Sequence, residues 1–206
     1  MGRIFSLLDN GLFMMEKILE NPNFSLILYR NFIENEECVF YFKQLIDFLD
    51  FEQTEITLFG KKIVVPRLES FHSKNGKTYG YSGKRLKTKS FNPILQKLNV
   101  AIEKAVNHSF NSVLVNLYRN EKDSNGWHAD DEKELGKNPT IASISLGQSR
   151  RFQIKHKIDK KTLTLNLNSG DLLLMTGSFQ HEFKHQIPKE KKSCGPRLNL
   201  TFRFIY

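Results

Sequence analysis

From about residue 111 onward the chain breaks into short β-prone runs, a texture that few folds can accommodate. The runs are Val113–Tyr118, Ile141–Leu146, Phe152–Lys155, Thr162–Leu167, Leu172–Thr176 and Leu198–Ile205, separated by turn signals such as Asn168-Ser169-Gly170-Asp171. Many short strands at this spacing predict a sandwich, barrel or jelly roll. Upstream, Val39, Phe42, Leu45, Ile46 and Leu49 recur at helical spacing between Glu36 and about Phe51, beneath an acidic first turn. Asn92-Pro93 offers an N-cap with Pro at the first helical position, and Ile94, Leu95, Leu98, Ile102 and Val106 continue a second helix. Both helices are expected to buttress a sheet. Residues 1–33 show little beyond a short strand at 26–29. The expectation is one compact unit, with an N-terminal extension over 1–110 and a β core over 111–206.

The 206 residues carry a formal net charge of +9. Lys and Arg in excess favour polyanionic partners, because they release condensed counterions on neutralising phosphates; a merely solvated basic surface is the plain alternative. Cys38 and Cys194 have no paired spacing. That argues against a disulfide framework or a Cys-based zinc site and suits a reducing, intracellular compartment. No apolar run is long enough for a membrane span, and the start of the chain does not read as a secretory signal.

Chemistry enters at Trp127-His128-Ala129-Asp130, which follows a polar loop from Asn120 to Gly126. On an extended strand, His128 and Asp130 would share a face. With one more ligand they would form a 2-His-1-carboxylate tripod with open positions. A surface His beside the acidic Asp131-Glu132 turn is the plain alternative. His156 lies between lysines, which disfavours a cation. His181 and His185 both follow the apolar strand ending at Met175-Thr176, and residue chemistry leaves these two tied.

The last strand is more telling. Arg197, Asn199, Thr201 and Arg203 alternate with Leu198, Leu200, Phe202 and Phe204. One face is therefore polar and the other apolar. Buried guanidinium groups need an anionic partner, and a dicarboxylate such as 2-oxoglutarate would suit bidentate pairing. Asn116 and Tyr118 point together in the same way. An edge strand with its arginines in water is the competing reading.

Taken jointly, several stretches resemble the AlkB family of nucleic-acid dealkylating dioxygenases, in particular its eukaryotic-type DNA-repair homologues. They are Val115-Asn116-Leu117-Tyr118, His128-Ala129-Asp130-Asp131-Glu132, Ile141–Gly147 and Pro196–Arg203, and the likeness covers about residues 55–206. It implies a mostly β fold with flanking helices: a double-stranded β-helix, or jelly roll, with an N-terminal α/β nucleotide-recognition extension. It implies Fe(II) on His128, Asp130 and His185, since His185 precedes the step Gln186-Ile187-Pro188 as the family's distal ligand does. It also assigns 2-oxoglutarate to Asn116, Tyr118, Arg197, Asn199, Thr201 and Arg203.

For substrate, the resemblance extends to the tract from Thr78 to Gly83. Tyr81 would stack on a flipped base opposite His128, with Tyr79, Gly80, Ser82, Asp131 and Glu132 around it. Phe59, Gly60 and Lys61 resemble a hairpin whose aromatic tip fills the gap in the base stack, with Lys61, Lys62 and Arg67 gripping phosphates. Ordinary sheet or core packing is the alternative for these aromatics. The implied reaction is O2-dependent oxidative demethylation of bases such as N1-methyladenine and N3-methylcytosine in DNA, with release of succinate, CO2 and formaldehyde. Duplex DNA is the first expected partner, then single strands, with RNA behind them; no membrane is expected, and the chain is expected to be a monomer, cytoplasmic or nuclear. An RNA demethylase, a catalytically silent nucleic-acid-binding module and a dioxygenase of protein or small metabolites are the alternatives. Ala129 and the basic segment Lys84–Lys89 depart from the family pattern, and residues 1–33 match none of it.

Overall fold

A computed structural model describes residues 3–8, 11–58, 60–81 and 84–206. In chain order the elements begin with β1 (Arg3–Leu8), β2 (Gly11–Asn21), β3 (Phe24–Arg30), α1 (Asn35–Phe48), β4 (Glu52–Leu58) and β5 (Lys61–Ser73). Three short strands follow, β6 (Gly80–Tyr81), β7 (Lys84–Arg85) and β8 (Thr88–Lys89), then α2 (Pro93–Val106), β9 (Ser112–Tyr118) and β10 (Asn125–His128). The remainder is β11 (Ile141–Gly147), β12 (Arg150–His156), β13 (Thr162–Leu167), β14 (Leu172–Gly177), α3 (Phe179–Glu182), β15 (Phe183–Ile187) and β16 (Arg197–Arg203).

The main sheet runs β1-β2-β3-β14-β11-β16-β9-β5-β4, with β8 added to β5, and a smaller sheet runs β10-β15-β12-β13. This is the jelly roll that the family resemblance implies, one of the three architectures that the strand spacing allows. The N-terminus departs from expectation. Instead of one short strand, residues 3–30 form three, and β3 pairs with β14 along its length. The main sheet is therefore continuous across residue 110, where the extension was expected to give way to the core.

Strand alternation sorts the side chains into two layers. On the outer face of the main sheet Val113, Val115, Leu117, Leu198, Leu200 and Phe202 pack with Tyr41 and Leu45 of α1 and with Leu95, Leu98 and Ile102 of α2. Each such buried side chain contributes roughly 1.5–3 kcal/mol. The α2 N-cap is as the sequence predicts, with the Asn92 side chain accepting from the Leu95 amide at 2.8 Å. Helix α1 stops at Phe48, three residues short of the expected Phe51, and Leu49 is already extended at ψ 132°. The inner face meets the small sheet, where Leu114, Phe152, Ile154, Met175, Phe183 and Ile187 surround a polar centre. Among the described residues no helix is long and apolar enough to cross a membrane.

Candidate active site

The polar alternates of β9 and β16 project between the two sheets into a cavity of about 640 Å³. Asn116 faces Asn199 across the β9–β16 ladder, and Thr201 faces Ser143 across the β16–β11 ladder. The small sheet closes the opposite side, and its β10–β15 ladder sets His128 directly against His185. That register brings the two imidazoles to 4.2 Å between ring centres.

Asp130 completes the group. Ligand atoms of His128, Asp130 and His185 all lie within 4.8 Å of one another. The strand argument for this pair needs correction, because β10 ends at His128 and Asp130 lies in the loop beyond it. Its position is fixed by other means: the Asp130 amide donates to Gln180 Oε1 at 3.0 Å, and Arg203 donates to Asp130 Oδ2 from Nε at 3.1 Å and Nη2 at 2.6 Å. Gln180 reaches this position because Gly177, at φ +64°, lets β14 turn sharply into α3; a Cβ there would sit 2.0 Å from the Asn23 carbonyl oxygen. Of the rival histidines, His181 is exposed on α3 and His156 faces Asp159 at 3.0 Å.

The electrostatics suit a divalent cation. Burial opposes ionisation of Asp130, but Arg203 with both histidines holds the carboxyl well below the usual carboxylate range. Burial, helped by His128, pushes His185 down to about 3, and burial lowers His128 as well. Neutral imidazoles and an ionised carboxylate are the forms that ligate metal. His128 Nδ1 lies 2.7 Å from the Gly126 carbonyl and must donate to it, which leaves Nε2 with its lone pair near Asp130 Oδ1. Two imidazoles and one carboxylate oxygen fit Fe(II) with positions left open.

At the start of β16 Arg197 is fully buried and donates from Nη2 to Ser145 Oγ at 2.8 Å. Its Nε and Nη1 find no partner among the described residues. Burial lowers this guanidinium to about 10. It lies against the Tyr118 ring, 5.4 Å from the centroid, and Arg150 lies against the same ring at 5.5 Å. Asn199 donates to Ser143 Oγ at 2.7 Å, and Thr201 stands beside it. Buried cationic donors left open next to a phenol and two amides fit a carboxylate.

The opposite wall carries the residues expected to meet a base. Tyr79, Tyr81, Asp131 and Glu132 line the cavity with His128. Tyr79 is buried against Arg203, 5.1 Å from its ring centre, and its hydroxyl reaches Glu132. Burial, then Asp130, raises the Glu132 carboxyl. Gly80 forms β6 with Tyr81, and Gly60 sits in an exposed turn at φ +75° that leads into β5 at Lys61. Lys62 is exposed. Phe59 and Ser82 lie outside the described residues. Arg67 requires a correction. It is only 5% exposed and donates to Asn116 Oδ1 at 2.8 Å and Asn125 Oδ1 at 3.1 Å, with Glu69 Oε1 2.7 Å from its Nη2. With its donors turned inward, it forms part of the cavity wall and cannot grip surface phosphates.

Sequence reasoning missed Glu69, Asn125, Gln180 and the serines of β11. Ser143 and Ser145 were the legible ones, since their two-residue spacing repeats the polar alternation of β16.

The model of the 2OG-Fe(II) oxygenase superfamily matches residues 25–203. Alpha-ketoglutarate-dependent dioxygenase alkB homolog 3 of Homo sapiens is 36% identical over 189 residues, which cover 87% of this chain and 65% of the relative. DNA oxidative demethylase ALKBH2 of Mus musculus is 33% identical over 171 residues, covering 79% of this chain and 72% of the relative. Among solved structures, that of OsALKBH1 superposes with a TM-score of 0.64 at 19% identity, covering 92% of this chain and all of its own. The chain thus spans just under two thirds of the human relative's length.

Proposed function

The chain belongs to the 2OG-Fe(II) oxygenase superfamily, within the AlkB homologues, and from that premise we propose that it oxidatively removes N-alkyl groups from damaged DNA bases. The observation that carries this reading is one cavity lined by the His128–Asp130–His185 cluster, by Asn116, Tyr118, Asn199 and Thr201, and by the aromatic wall at Tyr81, with the open donors of Arg197 buried against Tyr118. When bound, Fe(II), 2-oxoglutarate and O2 supply the oxidant that hydroxylates the N-alkyl carbon.

In this reading His128 Nε2, Asp130 Oδ1 and His185 hold the metal, and Arg203 keeps Asp130 aimed by holding its other oxygen. Arg197 and Tyr118 receive one carboxylate of 2-oxoglutarate, and Asn116, Asn199, Thr201 and Arg203 contact the rest. Tyr81 stacks on the flipped base, while Tyr79, Asp131 and Glu132 offer polar contacts to its edge. Once the alkyl carbon carries a hydroxyl, its C–N bond breaks with the electron pair returning to the ring nitrogen. Formaldehyde leaves and the hydroxyl proton passes to water. No side-chain base is required, so the protein's part is orientation and exclusion of bulk water. The excess of basic residues supports a nucleic-acid substrate, and the exposed turn at Gly60 with the exposed Lys62 supports duplex DNA.

The test is incubation with Fe(II), 2-oxoglutarate and oligonucleotides carrying N1-methyladenine or N3-methylcytosine, as duplex DNA, single-stranded DNA and RNA, with restored bases quantified by mass spectrometry. Restoration that depends on 2-oxoglutarate and is greatest in DNA is expected. Absence of restoration in all three would refute the reading.

A further inference from the structure

Behind the aromatic wall lies a charged pair that binding and oxidation do not by themselves require. Arg67 and Glu69 are two apart on β5 and therefore share its inward face. Both are buried, at 5% and 2% exposure. Glu69 accepts from the Tyr81 hydroxyl at 2.6 Å and faces Arg67 Nη2 at 2.7 Å. Arg67 in turn donates to Asn116 and Asn125, and Asn125 Nδ2 lies 3.2 Å from His128 Nε2, whose lone pair the metal would take over. One connected network thus touches the base platform, the cosubstrate row and a candidate metal ligand.

Burying two charges is costly, and apolar residues of similar volume often serve stability equally well or better. What a fully partnered polar network adds is a single geometry for everything attached to it. Here the attached groups are those that must stay in mutual register. Tyr81 has no other side-chain hydrogen-bond partner among the described residues than Glu69 and Arg67.

We propose that Glu69 is a positioning residue: with Arg67 it locks Tyr81 in register with Asn116 and His128, so that an alkylated base is held where cosubstrate oxidation can be used on it. This rests on the demethylation reading. A misplacement of about 1 Å can cost two orders of magnitude in rate, so a platform released from Glu69 should waste cosubstrate rather than merely bind less.

Glu69→Gln keeps the shape and an acceptor for Tyr81 but removes the counter-charge of Arg67. Two readouts apply: the ratio of dissociation constants for unmodified and N1-methyladenine oligonucleotides, measured with Fe(II) and 2-oxoglutarate without O2, and succinate formed per restored base in air. The expected result is a loss of about tenfold in preference for the methylated strand and a comparable rise in succinate per restored base. Succinate formed without any oligonucleotide should stay near the wild-type rate. Unchanged preference and ratio in a folded variant would overturn the proposal, as would a proportional fall of both products. Should Glu69→Gln not fold, the double variant Arg67→Met/Glu69→Met decides: a folded protein with lost preference supports positioning, and one with wild-type preference overturns it. A wild-type protein that does not discriminate the methylated strand in any nucleic acid refutes the demethylation reading itself, and with it this proposal.

Discussion

At the Tyr81 wall Arg67 meets Glu69 at 2.7 Å and beside the His128–His185 pair Arg203 meets Asp130 at 2.6 Å, whereas Arg197, equally buried, meets no carboxylate among the described residues. All three occupy inward-facing strand positions: Arg67 and Arg203 line the cavity, and Arg197 is buried against Tyr118 of its wall. Arg67 and Arg203 have counter-charges supplied by the chain, so their geometry is complete without a ligand. Arg197 keeps two donors open. A buried cation without an anion destabilises a fold, and its retention points to an anion that arrives from outside. The difference separates what the protein builds for itself from what it leaves for its cosubstrate.

Asp130→Ala attacks the completed side most severely. It removes a candidate ligand and strands Arg203 at once. Base restoration should fall to background while binding of unmodified DNA persists; turnover near wild type would remove Asp130 from the metal site. Next comes Arg197→Met, for which the KM for 2-oxoglutarate should rise about a hundredfold, because truncating one side of a buried charge pair costs 2–5 kcal/mol in binding. Thermal unfolding without 2-oxoglutarate should show this variant at least as stable as wild type. Arg67→Met should instead lose about 3 kcal/mol, since it leaves Glu69 buried alone. Equal destabilisation by the two substitutions in the absence of cosubstrate would erase the contrast.

A smaller effect sharpens the same point. At 2-oxoglutarate a hundredfold above its dissociation constant, the wild-type protein should gain about 2.7 kcal/mol, and Arg197→Met should gain almost nothing at that concentration. The gentlest prediction concerns pH. His185 lies at about 3 in the fold against an ordinary 6.5, so between these values the unfolded chain binds a proton that the folded chain does not. Stability of the metal-free protein should therefore fall as pH drops through that window, and denaturant midpoints across it provide the check. A flat profile would mean that His185 is not held neutral by burial.

Much of this was legible because strands advertise their faces. The alternation in Arg197–Phe204 separated cavity from core, and the Asn92-Pro93 cap and the spacing of the apolar residues marked α2. Legibility failed where position depends on contacts distant in sequence. Strands β1 and β2 carry no clean alternation and take their place through the β3–β14 pairing. Asp130 sits beyond its strand, held by Gln180 from fifty residues away. In sequence Arg67 is a lone arginine near lysines and looks like a phosphate ligand; only the fold brings Glu69, Asn116 and Asn125 around it. Residue chemistry alone left His181 and His185 tied; the family resemblance favours His185, and the β10–β15 register sets that residue against His128.

Coupling of cosubstrate oxidation to base repair in this one cavity is open to direct measurement. The most direct measurement is simultaneous quantification of formaldehyde, succinate and restored base from an N1-methyladenine oligonucleotide, with Fe(II) and limiting 2-oxoglutarate. Formaldehyde should equal restored base, succinate should be at least equal to both, and all three should stop when 2-oxoglutarate is exhausted. Restored base that continues without 2-oxoglutarate, or appears without formaldehyde, would contradict the coupling.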